Sequence, residues 1–236
     1  QPGGVLTRAG HTEAGCDLAR LAGFQSAAVI VEIMNDDGTM ARRPQLEAFA
    51  ASHQLKIGTI ADLIRHRLQT ERSVERIAEQ TVLTEHGEFR LVCYEDHVNH
   101  DVHLALVHGD LRTDTPLVRV HLTDTLRDLI GVRQGSKAWT LNAALQRVAR
   151  SPCGVVVLLR QAEQPRELVD AVRSVGMPTS EPSPQLSGPV LRTYGIGAQI
   201  LQDLGVRRMR VLSAPKHMYS ISAFGLEIVD YVGESG

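Results

Sequence analysis

Residues Ala27 to Met34, Ala-Ala-Val-Ile-Val-Glu-Ile-Met, form a continuous apolar, β-branched run broken by a single carboxylate, Glu32. A strand with one wet face alternates polar and apolar residues, so an unbroken run predicts a strand covered on both faces. Its neighbours are helical. Ala14, Leu18, Leu21 and Ala22 recur at helical spacing between Thr12 and Gly23, and further helices are expected over Pro44 to His53 and Thr59 to Leu68. Asn35-Asp36-Asp37-Gly38 is a turn, and Lys56 to Ile57 a short extended piece. This front part therefore alternates β and α.

The pattern changes after Leu68. Gln69 to Arg76 is polar and charged with none of the neighbouring apolar spacing, which marks a domain boundary. Ile77 to Leu83, Glu88 to Tyr94, Val102 to Val107 and Leu117 to Leu122 lie between turn signals and predict antiparallel strands in a small sheet. Helices follow at Ala138 to Arg150, Pro165 to Val175 and Ile196 to Leu204. Strands are expected at Gly154 to Leu159, Met209 to Leu212 and Glu227 to Tyr231, and a mobile loop at Gly176 to Gly188. The fold class is α/β in front and α+β behind, with domains at 1–68 and 84–236 joined by a linker and first strand at 69–83.

Composition removes several classes of function. Hydrophobic residues at 43% and charged residues at 22% exclude a disordered chain or a coiled-coil rod. Twenty-five basic against 27 acidic residues give a charge of −2, so there is no global attraction to nucleic acid or to an anionic membrane. No apolar stretch is long enough to span a bilayer and no secretory signal is apparent, which predicts a cytoplasmic protein. Cys16, Cys93 and Cys153 are too widely spaced for a zinc knuckle and odd in number, as expected of a reduced compartment. The chain opens at Gln1 without Met, directly into functional-looking residues, so a preceding portion is expected.

Arg8-Ala9-Gly10-His11-Thr12-Glu13 sets a guanidinium, an imidazole, a hydroxyl and a carboxylate where a helix begins. A helix N-terminus offers free N–H groups, Arg supplies a fork for phosphate, and neutral His can bind a divalent metal. The alternative is a Thr12 cap beside an incidental Arg and His. Glu32, if buried in its strand, would have its pKa raised toward that of a general base or acid; the alternative is a structural ion pair.

Three segments resemble the C-terminal half of 3,4-dihydroxy-2-butanone 4-phosphate synthase: Pro-Gly-Gly-Val-Leu-Thr-Arg-Ala-Gly-His-Thr-Glu-Ala from Pro2, Glu-Ile-Met-Asn-Asp-Asp-Gly-Thr-Met-Ala-Arg from Glu32, and Leu-Lys-Ile-Gly-Thr-Ile-Ala-Asp-Leu-Ile from Leu55. The resemblance implies an enzyme of riboflavin biosynthesis that converts ribulose 5-phosphate to the four-carbon ketone phosphate and formate with Mg²⁺ or Mn²⁺. It implies substrate contacts at Arg8, Ala9, Gly10, His11 and Thr12, metal ligation by His11, catalytic roles for Glu32 and His11, and a homodimer. The family's acidic loop, which carries the other metal ligand, is absent from this sequence, so the chain alone is expected to be inactive.

From Thr84 to about Tyr231 the sequence resembles GTP cyclohydrolase II, often fused behind the synthase. The resemblance is carried by Thr84-Glu85-His86-Gly87-Glu88-Phe89-Arg90, His103 to Asp110, Val118-Arg119-Val120-His121 and Arg192 to Leu201. That family holds zinc on three cysteines shortly after the Arg-Val-His segment. Leu122 to Lys137 contains none, and the family's nucleotide loop reads here as Arg160 to Glu167. The proton-accepting aspartate aligns with Val190, whereas the nucleophilic arginine persists as Arg192. Arg119, His121 and Arg192 are thus remnants, and zinc is not expected.

Histidines do not obviously substitute for the cysteines. His103 and His108 point to opposite faces if they share a strand, and His97 and His100 fall in a turn. Gly195-x-Gly197 is a weak dinucleotide signal, better read as helix entry. The leading expectation is a synthase with an inactive, structural or regulatory cyclohydrolase-like domain, which could contact a working GTP cyclohydrolase II. A nucleotide- or flavin-sensing module and residual cyclohydrolase activity are the alternatives.

Overall fold

The computed structural model describes residues 1–112, 115–132, 139–160, 163–176, 188–214, 221 and 224–233, with the side chains of 188–190 left aside. The loop expected at Gly176 to Gly188 lies almost wholly outside these residues. The class is mixed α/β, and the chain divides into two compact units. One comprises Gln1–Thr70 with Leu186–Arg192, the other Glu71–Gln185 with Thr193–Gly236.

The first unit is built on three helices, α1 (His11–Leu21), α2 (Arg43–Ser52) and α3 (Ile60–Thr70), behind a 3-10 turn at Gly4–Leu6. Pro44 opens α2, where its missing N–H costs nothing, and the Gln45 side chain accepts from the Arg42 N–H at 3.1 Å. The Thr59 hydroxyl receives the Asp62 N–H at 3.1 Å, ahead of α3. Val5, Leu6, Ile64 and Leu68 are buried together with an ion pair, Asp17 and Arg67. Arg67 donates to Asp17 at 2.9 Å and to the Gly3 carbonyl at 2.7 Å, and Asp17 accepts the Val5 N–H at 2.8 Å. Both charges and an otherwise orphaned amide of the turn are satisfied in one cluster.

The strand expected over Ala27 to Met34 does not form. Val29 is 95% and Val31 82% exposed, Glu32 is exposed, and the segment's described pairing is the bridge Met34 to Met40 and the bond from Ala41 N–H to the Ile33 carbonyl. A strand exists through its ladder, and the described residues of this unit contain no sheet for the run to join.

The second unit is a seven-stranded mixed sheet. Its strands are β1 (Val74–Thr84), β2 (Gly87–Asp96), β3 (Val102–His108), β4 (Leu117–Leu122), β5 (Gly154–Leu159), β6 (Arg208–Leu212) and β7 (Glu227–Val232), in spatial order β1-β2-β3-β5-β4-β6-β7. β1 starts earlier than expected because Glu75 and Arg76 are exposed edge residues, for which polarity is no obstacle. β4 was expected to be antiparallel; it runs parallel to both β5 and β6. The chain leaves β4, passes through α4 (Leu141–Ala149) and returns as β5 between β3 and β4, a crossover that forces parallel pairing.

Thr140 accepts the Ala143 N–H and starts α4, so the helix begins later than the apolar spacing suggested. Phe89, Leu106, Leu117, Trp139, Val148 and Val156 form the core on this face, and the Trp139 indole N–H reaches the Val232 carbonyl at 2.9 Å. α5 (Pro165–Ser174) has no buried residue. α6 runs Gly188–Asp203, eight residues longer at its start than expected, and its portion up to Arg192 belongs to the first unit. Gly195 and Gly197 are therefore interior helical residues and do not mark a helix entry. A Cβ on Gly197 would lie 3.2 Å from Val120 Cγ1, so the glycine serves close packing of helix on sheet.

Candidate functional site

In the first unit, Gly10 caps α1 in extended conformation and His11 is its first residue. Arg8, Ala9, His11 and Thr12 are exposed and Gly10 half-buried, so one short stretch displays a guanidinium, an imidazole and a hydroxyl at a helix N-terminus. This arrangement can receive an anionic group, because the first N–H groups of a helix have no intrahelical partner. Glu13, on the same turn, is buried; Arg8 Nη1 lies 3.7 Å from its Oε1. Its carboxyl is held below the usual range, first by a hydrogen bond from its own backbone N–H.

A cavity of about 350 Å³ borders this turn, lined by Thr12, Glu13, Cys16, Asp17, Arg20 and Arg67 among others. Of the residues expected to contact substrate, Thr12 alone lines it, beside Glu13 of the same cluster. Glu32 stands on the exposed segment and not in a buried strand, so the burial that would have tuned it is not present. Among the described residues no group of three His, Cys, Asp or Glu side chains could hold a metal ion. His11 and its described neighbours therefore do not fit a Mg²⁺ or Mn²⁺ centre by themselves. The Asp17–Arg67 pair was missed by sequence reading, because the apolar residues Leu18 and Leu21 that mark α1 are exposed while its buried residues are the carboxylates Glu13 and Asp17.

In the second unit, Arg119 and His121 lie two apart on β4 and share a face. Arg119 donates to the Leu212 carbonyl at 2.9 Å and to that of Trp139 at 3.4 Å. His121 is buried with Nε2 at 2.9 Å and 3.0 Å from the two oxygens of Asp128. The same carboxylate accepts the Asp124 N–H at 2.9 Å, and Asp124 in turn accepts the Arg127 N–H at 2.9 Å. A π-helical turn, Thr125–Leu129, is thus fixed to the end of β4 by side-chain hydrogen bonds. Burial is the leading cause that lowers the His121 pKa, with Arg119 and Arg127 acting in the same sense against Asp128, which favours the neutral ring. Residues 133–138, where the cysteine comparison continues, and 161–162 of the altered loop lie outside the described residues.

The other histidines are separately engaged. His97 meets Glu75 at 3.0 Å and His100 lies 3.8 Å from Glu95, both around the β2–β3 turn. His108 packs on Phe89. His103 is buried, and its Nδ1 accepts the Arg160 N–H at 3.2 Å. Arg192 donates through Nη1 to the carbonyls of Leu6, at 2.8 Å, and Thr7, at 2.6 Å.

The GTP cyclohydrolase II family model matches residues 75–233, and the 3,4-dihydroxy-2-butanone 4-phosphate synthase model matches residues 1–66. The chain belongs to the GTP cyclohydrolase II family, and the segment ahead of that domain matches the synthase model. Relatives named 3,4-dihydroxy-2-butanone 4-phosphate synthase are 54% identical in Pseudomonas aeruginosa and 52% identical in Pseudomonas syringae, each over 98% of this chain and 63% of the relative. A riboflavin biosynthesis protein RibBA of Aquifex aeolicus is 43% identical over 98% of this chain and 59% of its own length. The crystal structure of RibBX from A. baumannii, described as a two-domain 3,4-dihydroxy-2-butanone 4-phosphate synthase, matches with a TM-score of 0.77 at 43% identity, covering 98% of this chain and 62% of that one. This family member thus spans less than two thirds of the length of the relatives it matches. Among its described residues no helix is long and apolar enough to cross a membrane.

Proposed function

We propose that this chain is part of a 3,4-dihydroxy-2-butanone 4-phosphate synthase of riboflavin biosynthesis, acting on ribulose 5-phosphate and releasing formate, with a cyclohydrolase-like unit that does not hydrolyse GTP. The observation that carries the reading is the exposed Arg8–Thr12 segment at the start of α1, in a chain more than half identical to relatives bearing the synthase name. Arg8 and the N-terminal amides of α1 bind the substrate phosphate or its hydroxyls, Thr12 donates a hydroxyl, and His11 and Glu32 are the catalytic pair. His11 is one ligand of Mg²⁺ or Mn²⁺ in this reading, and the remaining ligands come from outside Gln1–Thr70. The exposure of Val29, Ile30 and Val31 supports that division, since such a run finds its stable state beneath other elements.

The cyclohydrolase-like unit takes a structural or regulatory role. What supports this is the loop after β4, where Asp124 is spent as a helix cap and His121 is engaged with Asp128. A cytoplasmic homodimer, with a working GTP cyclohydrolase II as partner, completes the proposal.

Formate release from ribulose 5-phosphate, measured on a polypeptide carrying the whole synthase domain, tests it. Loss of release in His11→Ala and in Glu32→Ala is expected, and unchanged rates in both would refute the site. Stoichiometric zinc with a diaminopyrimidine product from GTP would refute the assignment of the second unit.

A further inference from the structure

We propose that Arg192 is a positioning residue for the substrate-binding segment of the synthase-type unit, an inference that rests on the function proposed above. Arg192 comes from the stretch matched by the cyclohydrolase family, yet it clusters with Gln1–Thr70. One nitrogen of its guanidinium donates to two consecutive carbonyls, those of Leu6 and Thr7. These close the 3-10 turn Gly4–Leu6, and the carbonyls at the end of such a turn lack partners of their own.

The neighbouring groups of the turn are already committed. The Gly4 carbonyl accepts from Thr7 and Arg8, the Gly3 carbonyl from Leu6 and Arg67, and the Val5 N–H is held by Asp17. Arg67 thus fixes the start of the turn and Arg192 fixes its exit. Arg8 is the next residue, and its carbonyl accepts the Gly10 N–H at 2.8 Å in the bend that leads into His11. The direction in which Arg8 to Thr12 leave the turn is set by the two carbonyls Arg192 grips. An arginine that stands where the cyclohydrolase family has its nucleophile is here tied to backbone, which gives it a use independent of metal and base.

Hydrogen exchange on this chain provides the test, with Arg192→Ala, Arg192→Lys and, as a matched control, the exposed Arg173→Ala. In Arg192→Ala the amides of Thr7 to Gly10 should exchange about tenfold faster, the scale of a lost charge-assisted hydrogen bond. Val155 to Val157 in β5 should be unchanged, Arg192→Lys should recover part of the protection, and Arg173→Ala should match the wild type. Equal exchange at Thr7 to Gly10, or acceleration spread evenly over both units, overturns the proposal.

In a polypeptide with the complete synthase domain, Arg192→Ala should raise KM for ribulose 5-phosphate about tenfold and lower kcat as well, with Arg192→Lys recovering part of both, because the misdirected segment carries the substrate contacts and His11 together. Unchanged KM overturns the proposal. A wild-type protein that releases no formate instead sinks the functional reading, and the exchange result then still decides what Arg192 does to the turn.

Discussion

The buried imidazole of His121 meets the Asp128 carboxylate through both of its oxygens, at 2.9 Å and 3.0 Å, seven residues on in the chain. With Nε2 donating, Nδ1 carries the lone pair and has no hydrogen-bond partner among the described residues. Asp128 also holds the Asp124 N–H, so one carboxylate ties β4 to the turn that follows. Replacing it removes a charge-assisted network and leaves the buried His121 N–H unpaired. Asp128→Ala should therefore cost about 2–4 kcal/mol. Denaturant unfolding reads the total, and hydrogen exchange over Thr123 to Val132 should accelerate most. If chelators loosened the wild-type segment as much as the substitution does, the side-chain network would not be what holds it.

Acid should destabilise the second unit through the two buried histidines among its described residues, His103 and His121. Burial is the leading cause that lowers the pKa of both His103 and His121. A base with a depressed folded pKa binds its proton in the unfolded chain first. Stability is therefore complete above about pH 6.5 and falls as pH drops from there toward the folded values, by up to about 1.4 kcal/mol per pH unit for each ring. Urea midpoints measured between pH 7.5 and 5 should fall steeply in the wild type and less steeply in His103→Gln. A flat wild-type profile would contradict the buried neutral rings.

What could be read from the sequence and what could not follow a physical line. α1, α2 and α3 and the strands β2, β3 and β5 carry their own apolar spacing and turn chemistry, and their ranges match the sequence reading to within a few residues. The run at Ala27 to Met34 shows the limit of that method: composition states that a segment prefers burial, whereas a ladder partner decides whether a strand exists. The direction of β4 was illegible for a related reason, because an alternating strand looks alike in parallel and antiparallel company. At the candidate site, Arg8 to Thr12 stood out through chemically expressive residues at a helix start. Arg67 and Asp17, and the grip of Arg192 on Leu6 and Thr7, join residues 50 to 186 apart, and no local pattern announces such pairs.

Asp203 at the end of α6 gathers three donors from β1, its approach and β2: Arg72 at 2.6 Å, Arg76 at 2.7 Å and the Tyr94 hydroxyl at 2.8 Å. Tyr94 is buried, and burial together with the Asp203 charge pushes its phenol well up. The two arginines are partly exposed and add little individually. The buried hydroxyl should dominate, so Tyr94→Phe should lose about 1–2 kcal/mol and Asp203→Ala more, since it orphans that hydroxyl. Equal losses in Arg72→Ala and Tyr94→Phe would show that the surface pair carries the hub.

Gly197 sits inside α6 over β4, where two opposed effects can be weighed. Alanine in a helix interior is favoured over glycine by about 1 kcal/mol. Against this, the new Cβ would stand 3.2 Å from Val120 Cγ1 and 3.5 Å from its Cγ2, with Leu159 Cδ1 at 3.7 Å. Val120 is half-buried and its methyls can give by a few tenths of an ångström, so Gly197→Ala should change stability by less than about 1 kcal/mol. Valine adds two methyls with nowhere to go and loses helix propensity as well, so Gly197→Val should cost at least about 2 kcal/mol. Thermal unfolding of the two variants separates the terms. A Gly197→Ala protein stabilised by the full propensity gain would mean that α6 lies farther from β4 than these distances place it.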